Sequence, residues 1–152
     1  MNLDPSLVCD QLLLDGFQER SSRWDDHIKH NLGGVWWRHD QTGKASFAWL
    51  STKSHLNGAR VLHGGAMATL LDHCMGALAY LDNDSSFAYT MQMNVQFIRP
   101  VRANRWIFVT ARQVAGNQHN LLLEAEATVQ DDVVAKAQGT FVNPVRRKPL
   151  LR

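Results

Sequence analysis

Residues 57–80 read NGARVLHGGAMATLLDHCMGALAY, a His-Gly-Gly turn running into an apolar segment that carries one carboxylate, Asp72. Gly64 and Gly65 let the backbone turn tightly and approach a ligand closely, and at a helix start their free N–H groups form a partly positive site. Such a site suits a developing oxyanion. From position 66 to 81 the chain is apolar almost all round, which predicts a buried helix rather than a surface one. Ala68, Asp72, Gly76 and Ala79 follow one another by three or four and share a face, so small side chains flank the carboxylate and leave room beside it. A carboxylate in such a helix stays ionised only where hydrogen-bond donors hold it, and those donors then belong to the site. Physics alone leaves two readings open, a catalytic carboxylate or a structural one satisfied by its neighbours.

The pattern Asn57, His63, Gly64, Gly65, Asp72 resembles that of the hotdog-fold acyl-CoA thioesterases, in particular the phenylacetate-degradation (PaaI-like) branch. The run TMQMNVQFIRP at 90–100 resembles the strand that follows the central helix there, ending at a proline, and the likeness extends over about 33–142. The resemblance implies an α+β hotdog fold, an antiparallel sheet wrapped around one long central helix. It also implies hydrolysis of an acyl- or aryl-CoA thioester to free acid and coenzyme A. Asp72 would then be general base or nucleophile, and the Gly64/Gly65 helix start the oxyanion site. Asn57 would orient the water or thioester, Thr90 would position the water or the carboxylate, and His63 would brace the turn. Substrate contacts are expected at Gly65, Gln92 and Phe97, and at the turn residues Gly116, Asn117 and His119 for the nucleotide end. A homodimer is implied, each site drawing Asn57, His63 and Gly64 from one chain and Asp72 and Thr90 from the other, with pairing of dimers into a homotetramer. Two other classes fit the same fold: a hydratase or dehydratase, which needs an acid/base pair aimed at the alpha and beta carbons, and a non-enzymatic acyl-CoA sensor.

The rest of the chain agrees with that outline. Its 152 residues suit one domain (1–152), divided into an N-terminal helix and linker (1–32), a core (33–143) and a basic tail (144–152). Residues 5–17 read as a short amphipathic helix with Leu7, Val8, Leu12 and Leu14 covering one edge of the domain, and 18–32 as a polar linker. Strands are expected at 35–38 and 44–50 around an Asp40-Gln41-Thr42-Gly43 hairpin turn, and after a break at 83–86 at 87–98, 105–114, 120–129 and 133–142. Gly116-Asn117 and Asp131-Asp132 mark the last turns, so these neighbours run antiparallel. Along 90–97, Met91, Met93, Val95 and Phe97 alternate with Thr90, Gln92, Asn94 and Gln96, which assigns Thr90 to the polar side.

Composition narrows the partners. A net charge of +2 without a broad basic face interleaved with aromatics argues against nucleic acid, although Arg99, Arg102 and Arg105 could meet a phosphorylated carrier. No stretch reaches the roughly 18 apolar residues of a membrane span, and the acidic start reads as no signal peptide. The two cysteines, Cys9 and Cys74, make no disulfide framework and suggest a reducing, cytoplasmic setting. The histidines lack ligand spacing, so no metal is expected, and no cofactor beyond the coenzyme A of the substrate. Trp36, Trp37, Trp49, Phe87, Tyr89 and Phe97 could line an acyl pocket, but strand aromatics are more often core.

Overall fold

The computed structural model describes residues 5–20, 26–39, 44–81, 87–117 and 119–143. The expected Asp40–Gly43 turn, the 83–86 break and the basic tail lie outside these residues. The elements run α1 (Pro5–Leu14), β1 (Gln18–Arg20), α2 (Asp26–Asn31), β2 (Val35–His39), β3 (Lys44–Leu50), a 3-10 turn (Lys53–His55), α3 (Gly64–Leu81), β4 (Tyr89–Phe97), β5 (Trp106–Gly116), β6 (Asn120–Val129) and β7 (Asp132–Val142). All strands join one antiparallel sheet in the order β1-β2-β3-β5-β6-β7-β4, so β4 is an edge. This is the expected hotdog layout.

Helix α3 is buried because its sequence leaves it no polar face. Met67, Leu70, Leu71, Cys74, Met75 and Leu78 are almost wholly enclosed, and the helix packs on β3 to β7. The sheet supplies the other half of the core through strict alternation: Phe47 and Trp49 from β3, Ile107 and Val109 from β5, Leu121 and Leu123 from β6 all point at the helix. The alternate residues face outward, and there α1 lies across the sheet. Val8 and Leu12 of α1 pack with Phe17 and Ala48, flanked by Trp36, Trp106 and Phe108. The N-terminal helix therefore covers the outer face of β2, β3 and β5 rather than an edge. Leu14, expected on its apolar side, is 81% exposed.

The stretch read as a polar linker is in fact structured. It holds β1, which extends the sheet, and α2; Ile28 of this helix and Leu32 just after it enter the main core one turn apart. Three apolar residues in these fifteen positions, Trp24, Ile28 and Leu32, follow one another by four, a helical spacing outweighed in the sequence reading by the polar and charged residues between them.

Candidate active site

Asp72 sits half-buried in the middle of α3, and its Oδ1 accepts a 2.7 Å hydrogen bond from the Thr90 hydroxyl on β4. Simple alternation would have turned Thr90 away. A β-bulge between Thr90 and Gln92 leaves Met91 without a partner on β7, and this shifts the pleat by one residue. Thr90 thereby joins Met93 and Val95 on the side facing α3, while Gln92, Asn94 and Gln96 line a polar outer surface with the Arg112–Glu124 and Lys136–Glu126 ion pairs. The assignment of Thr90 to the polar side is thus corrected, and Gln92 is not brought to Asp72. The space expected beside Gly76 is partly taken by the Phe141 ring, 3.8 Å from where a Cβ there would stand.

At the other end of the helix, the start of α3 is organised by His63. The His63 carbonyl accepts the N–H groups of Ala66 and Met67, and its ring Nδ1 accepts that of Gly65 at 2.9 Å. A neutral His63 ring consequently carries its proton on Nε2. The Gly65 N–H is spent, whereas the Gly64 N–H has no partner among the described residues. Phe97 covers Gly64, its ring 3.3 Å from the position of an added Cβ. Gly64 and Phe97, with Val61, Leu62, Met67, Pro100 and Val101, line a largely apolar cleft of about 370 Å3 that Arg99 also borders.

Asn57 is occupied by its own loop, with Oδ1 accepting from the N–H groups of Ala59 at 2.9 Å and Val61 at 3.4 Å. His55 braces the same loop from below, a role the sequence did not signal. Its carbonyl accepts the His63 N–H at 2.9 Å, its Nδ1 accepts the Thr52 N–H at 3.0 Å, and its ring donates to the Asn31 carbonyl. Burial pushes the His55 imidazole below its ordinary value, partly offset by that carbonyl, which keeps the ring neutral and able to accept. Cys74 is fully buried; burial and, secondarily, the nearby Asp72 charge push its thiol well up, so it is not a nucleophile.

The turn at Gly116, Asn117 and His119 lies elsewhere in the chain. Gly116 has φ of +125° and no room for a Cβ against the Asn120 carbonyl, and Asn117 Oδ1 accepts from the N–H groups of His119 and Asn120. Asn143 donates to the His119 carbonyl just past Val142, which pairs with Tyr89; the turn therefore sits at the opposite end of β4 from Phe97 and Gly64. Among the described residues no group of His, Cys, Asp and Glu is arranged to hold a metal, and no helix is long and apolar enough to cross a membrane.

One distance governs what these groups can do. Gly64 and Asp72 are eight positions apart on one helix, about 12 Å at the 1.5 Å rise per residue. A carbonyl held at the Gly64 N–H is out of reach of the same chain's Asp72.

The sequence profile of the thioesterase superfamily matches residues 59–136, just over half of the chain, including every site residue named above from His63 to Asn117. The chain belongs to the thioesterase superfamily. Asn57 falls outside the matched segment. No curated protein sequence matches the chain. Among solved structures it is similar to the Escherichia coli PaaI protein from the phenylacetic acid degradation operon, at 24% identity over 80% of this chain and 86% of that one, with a TM-score of 0.69. The conserved protein PA5202 of Pseudomonas aeruginosa is 26% identical over 81% and 94% of the two chains, TM-score 0.69. The smu.793 protein of Streptococcus mutans, solved with acetyl-CoA bound, is 22% identical over 74% and 90%, TM-score 0.65. These likenesses bear out the fold and the family resemblance read from the His-Gly-Gly and Thr90–Pro100 motifs.

Proposed function

We propose that this thioesterase-superfamily chain hydrolyses an acyl- or aryl-CoA thioester, working as a homodimer in which two chains complete each site. The observation that carries the reading is the half-buried Asp72 carboxylate held by the Thr90 hydroxyl. The superfamily match and the acetyl-CoA seen in the Streptococcus mutans relative support thioester chemistry on coenzyme A.

In this reading the thioester carbonyl oxygen accepts the Gly64 N–H, the donor at the helix start that has no partner among the described residues, and the α3 dipole stabilises the negative charge that develops there. Asp72 of the second chain takes a proton from water as the water oxygen bonds to the carbonyl carbon. The tetrahedral intermediate then collapses, the C–S bond breaks, and the departing thiolate recovers the proton from Asp72. The nucleophilic alternative starts instead with attack by Asp72 on the carbonyl, which breaks the C–S bond and expels the coenzyme A thiolate to leave an anhydride; water then opens it, giving back Asp72 and the free acid, and the proton that water loses goes to the thiolate. Thr90 serves both routes by fixing the carboxylate. His63 shapes the turn by occupying the Gly65 N–H, and Asn57 holds the loop that delivers it.

The dimer is supported by the spacing of Gly64 and Asp72 and by the state of β4. One side of this strand pairs with β7 and the other is a free edge. Phe87, Tyr89, Met91, Phe97 and Ile98 on and beside it are 45–66% exposed. A long apolar edge strand is a surface that proteins cover. Sedimentation at micromolar concentration is expected to give twice the mass of the chain, and Met91→Asp, which places charge at an exposed apolar position of this strand, is expected to lower it to the monomer. A wild-type monomer at that concentration would sink the two-chain site.

The activity itself is tested by free-thiol release from aryl-, short-, medium- and long-chain acyl-CoAs, with Thr90→Val as the probe. Valine keeps the shape of threonine and removes only the hydroxyl, so a loss of about ten- to a hundredfold in kcat with little change in melting temperature is expected, the worth of one hydrogen bond to a charged group. Equal rates in the two proteins would remove Thr90 from the mechanism, and no thiol release by wild type from any substrate would overturn the reading.

A further inference from the structure

The outer face of the sheet, turned away from α3 and Asp72, carries a cleft of its own along the flank of α1. Its volume is about 550 Å3, within the range of small-molecule sites. Strand register orders the sheet beneath it into two rows. Arg38 of β2 pairs with Ser46 of β3, and Ser46 with Thr110 of β5; one step along, Trp36 pairs with Ala48, and Ala48 with Phe108. Residues two apart on a strand share a face, so both rows look outward, the first carrying hydrogen-bond donors and the second hydrocarbon.

The fold leaves the first row largely unused. The Ser46 and Thr110 hydroxyls have no partner among the described residues. Arg38 lays its guanidinium 4.9 Å from the centre of the Phe17 ring and donates one N–H to the Asp15 carbonyl at 2.8 Å. It makes no ion pair with any described residue, so its remaining N–H groups are open to a ligand. Asp15 brings the one carboxylate to the lining, and its Oδ1 is turned to Gln11, whose Nε2 donates to it at 2.9 Å.

The second row is roofed instead. Val8 and Leu12 of α1 and Phe17 pack on Ala48, with Phe108 beside them, and these four large side chains also form the apolar wall of the cleft. Three open donors therefore stand at one end of an apolar slot, and one of them is a cation that can hold a planar carboxylate through two N–H groups at once. A pure hydrocarbon would strip water from these donors and give no hydrogen bond back, while a small polar anion would leave the wall in water. An apolar chain or ring that ends in a carboxylate meets both requirements.

We propose that this cleft is a ligand site separate from the Asp72 groove, and that it takes a small apolar carboxylic acid. The carboxylate lies on Arg38, Ser46 and Thr110, and the hydrocarbon part lies against Val8, Leu12, Phe17 and Phe108. The site stands on these residues alone and does not depend on the thioesterase reading.

The test is calorimetric binding of octanoate, 1-octanol and acetate to the full chain, as wild type, Arg38→Gln and Thr110→Phe. Wild type is expected to bind octanoate, to bind 1-octanol at least tenfold more weakly, and to give no measurable heat with acetate. Arg38→Gln should lose about tenfold or more in octanoate affinity. Thr110→Phe, which fills the slot at its donor end, should lose the site. Thr110 is exposed and has no side-chain hydrogen bond among the described residues to lose, so this variant keeps the test valid even where Arg38→Gln loosens α1 from the sheet. No octanoate binding by wild type, or equal affinity in the three proteins, overturns the proposal. A fall in sedimenting mass in either variant, with octanoate binding unchanged, overturns it as well and makes this face a contact between copies of the chain.

Discussion

Asp72→Ala is expected to cut acyl-CoA turnover by a factor on the order of 10²–10⁴ while the protein stays folded, the range that a positioned general base contributes. The two halves of that statement have separate grounds. The kinetic half follows from the absence of a substitute: Cys74, two positions away, is fully buried with its thiol pushed well up, and His63 has its Nδ1 engaged by the Gly65 N–H. The folding half follows from what Asp72 holds in place. Its side chain is half-buried, it accepts the Thr90 hydroxyl, and alanine is the best helix former, so the removal costs about 1 kcal/mol for the orphaned Thr90 O–H and recovers part of that in helix propensity. A melting temperature within a few degrees of wild type, with thiol release lost, is the expected pair of results. Full activity in Asp72→Ala would make the carboxylate structural. A variant that fails to melt cooperatively would shift the test to Asp72→Asn, which keeps the shape and one oxygen for Thr90.

The main lines of this fold were legible because its strongest signals are long. The buried helix and the β3 and β6 strands each have enough apolar residues in one period to outvote local noise, and β3 and β6 begin and end where alternation says they do. What stayed hidden was local and cooperative. The bulge at Met91 has no glycine or proline to announce it, yet it decides which side of the sheet Thr90 occupies and so whether Asp72 has a donor. Helix α2 was hidden because its anchoring residues, Ile28 and Leu32, are two apolar side chains among charged ones, meaningful only once the core they enter exists. Asn57 is the converse case: the motif pointed to it, but its carbonyl oxygen closes a turn, a use that depends on the path of four following residues. The Asp72–Thr90 pairing itself came from family resemblance, since eighteen residues of separation carry no periodic signal.

The same α2 accounts for the second large effect, which falls on stability. Trp49→Ala is expected to cost about 3–5 kcal/mol from the cavity alone, because the ring is 1% exposed at the centre of the main core. A further penalty of about 1–3 kcal/mol comes from a polar loss, since Trp49 Nε1 donates a 2.7 Å hydrogen bond to the Leu32 carbonyl and alanine leaves that buried acceptor unpaired. Against a typical domain stability of about 5–15 kcal/mol the sum is a large share, so the variant should unfold at markedly lower denaturant, or not express as a folded protein. Trp49→Phe separates the two terms: it keeps most of the ring and removes the donor, and should cost about 1–3 kcal/mol. The effect reaches the candidate site along a defined route. The Trp49 ring lies 4.7 Å from that of His55, His55 is tied to α2 through the Asn31 carbonyl, and the His55 carbonyl receives the N–H of His63 at the start of α3. Loosening the α2 attachment therefore loosens the turn that presents the Gly64 N–H, and Trp49→Phe should lower kcat per folded molecule more than it raises KM. Denaturant unfolding followed by thiol release on the folded fraction checks both parts. A Trp49→Ala protein within 1 kcal/mol of wild type would refute the packing argument, and unchanged kcat in Trp49→Phe would confine α2 to a structural role.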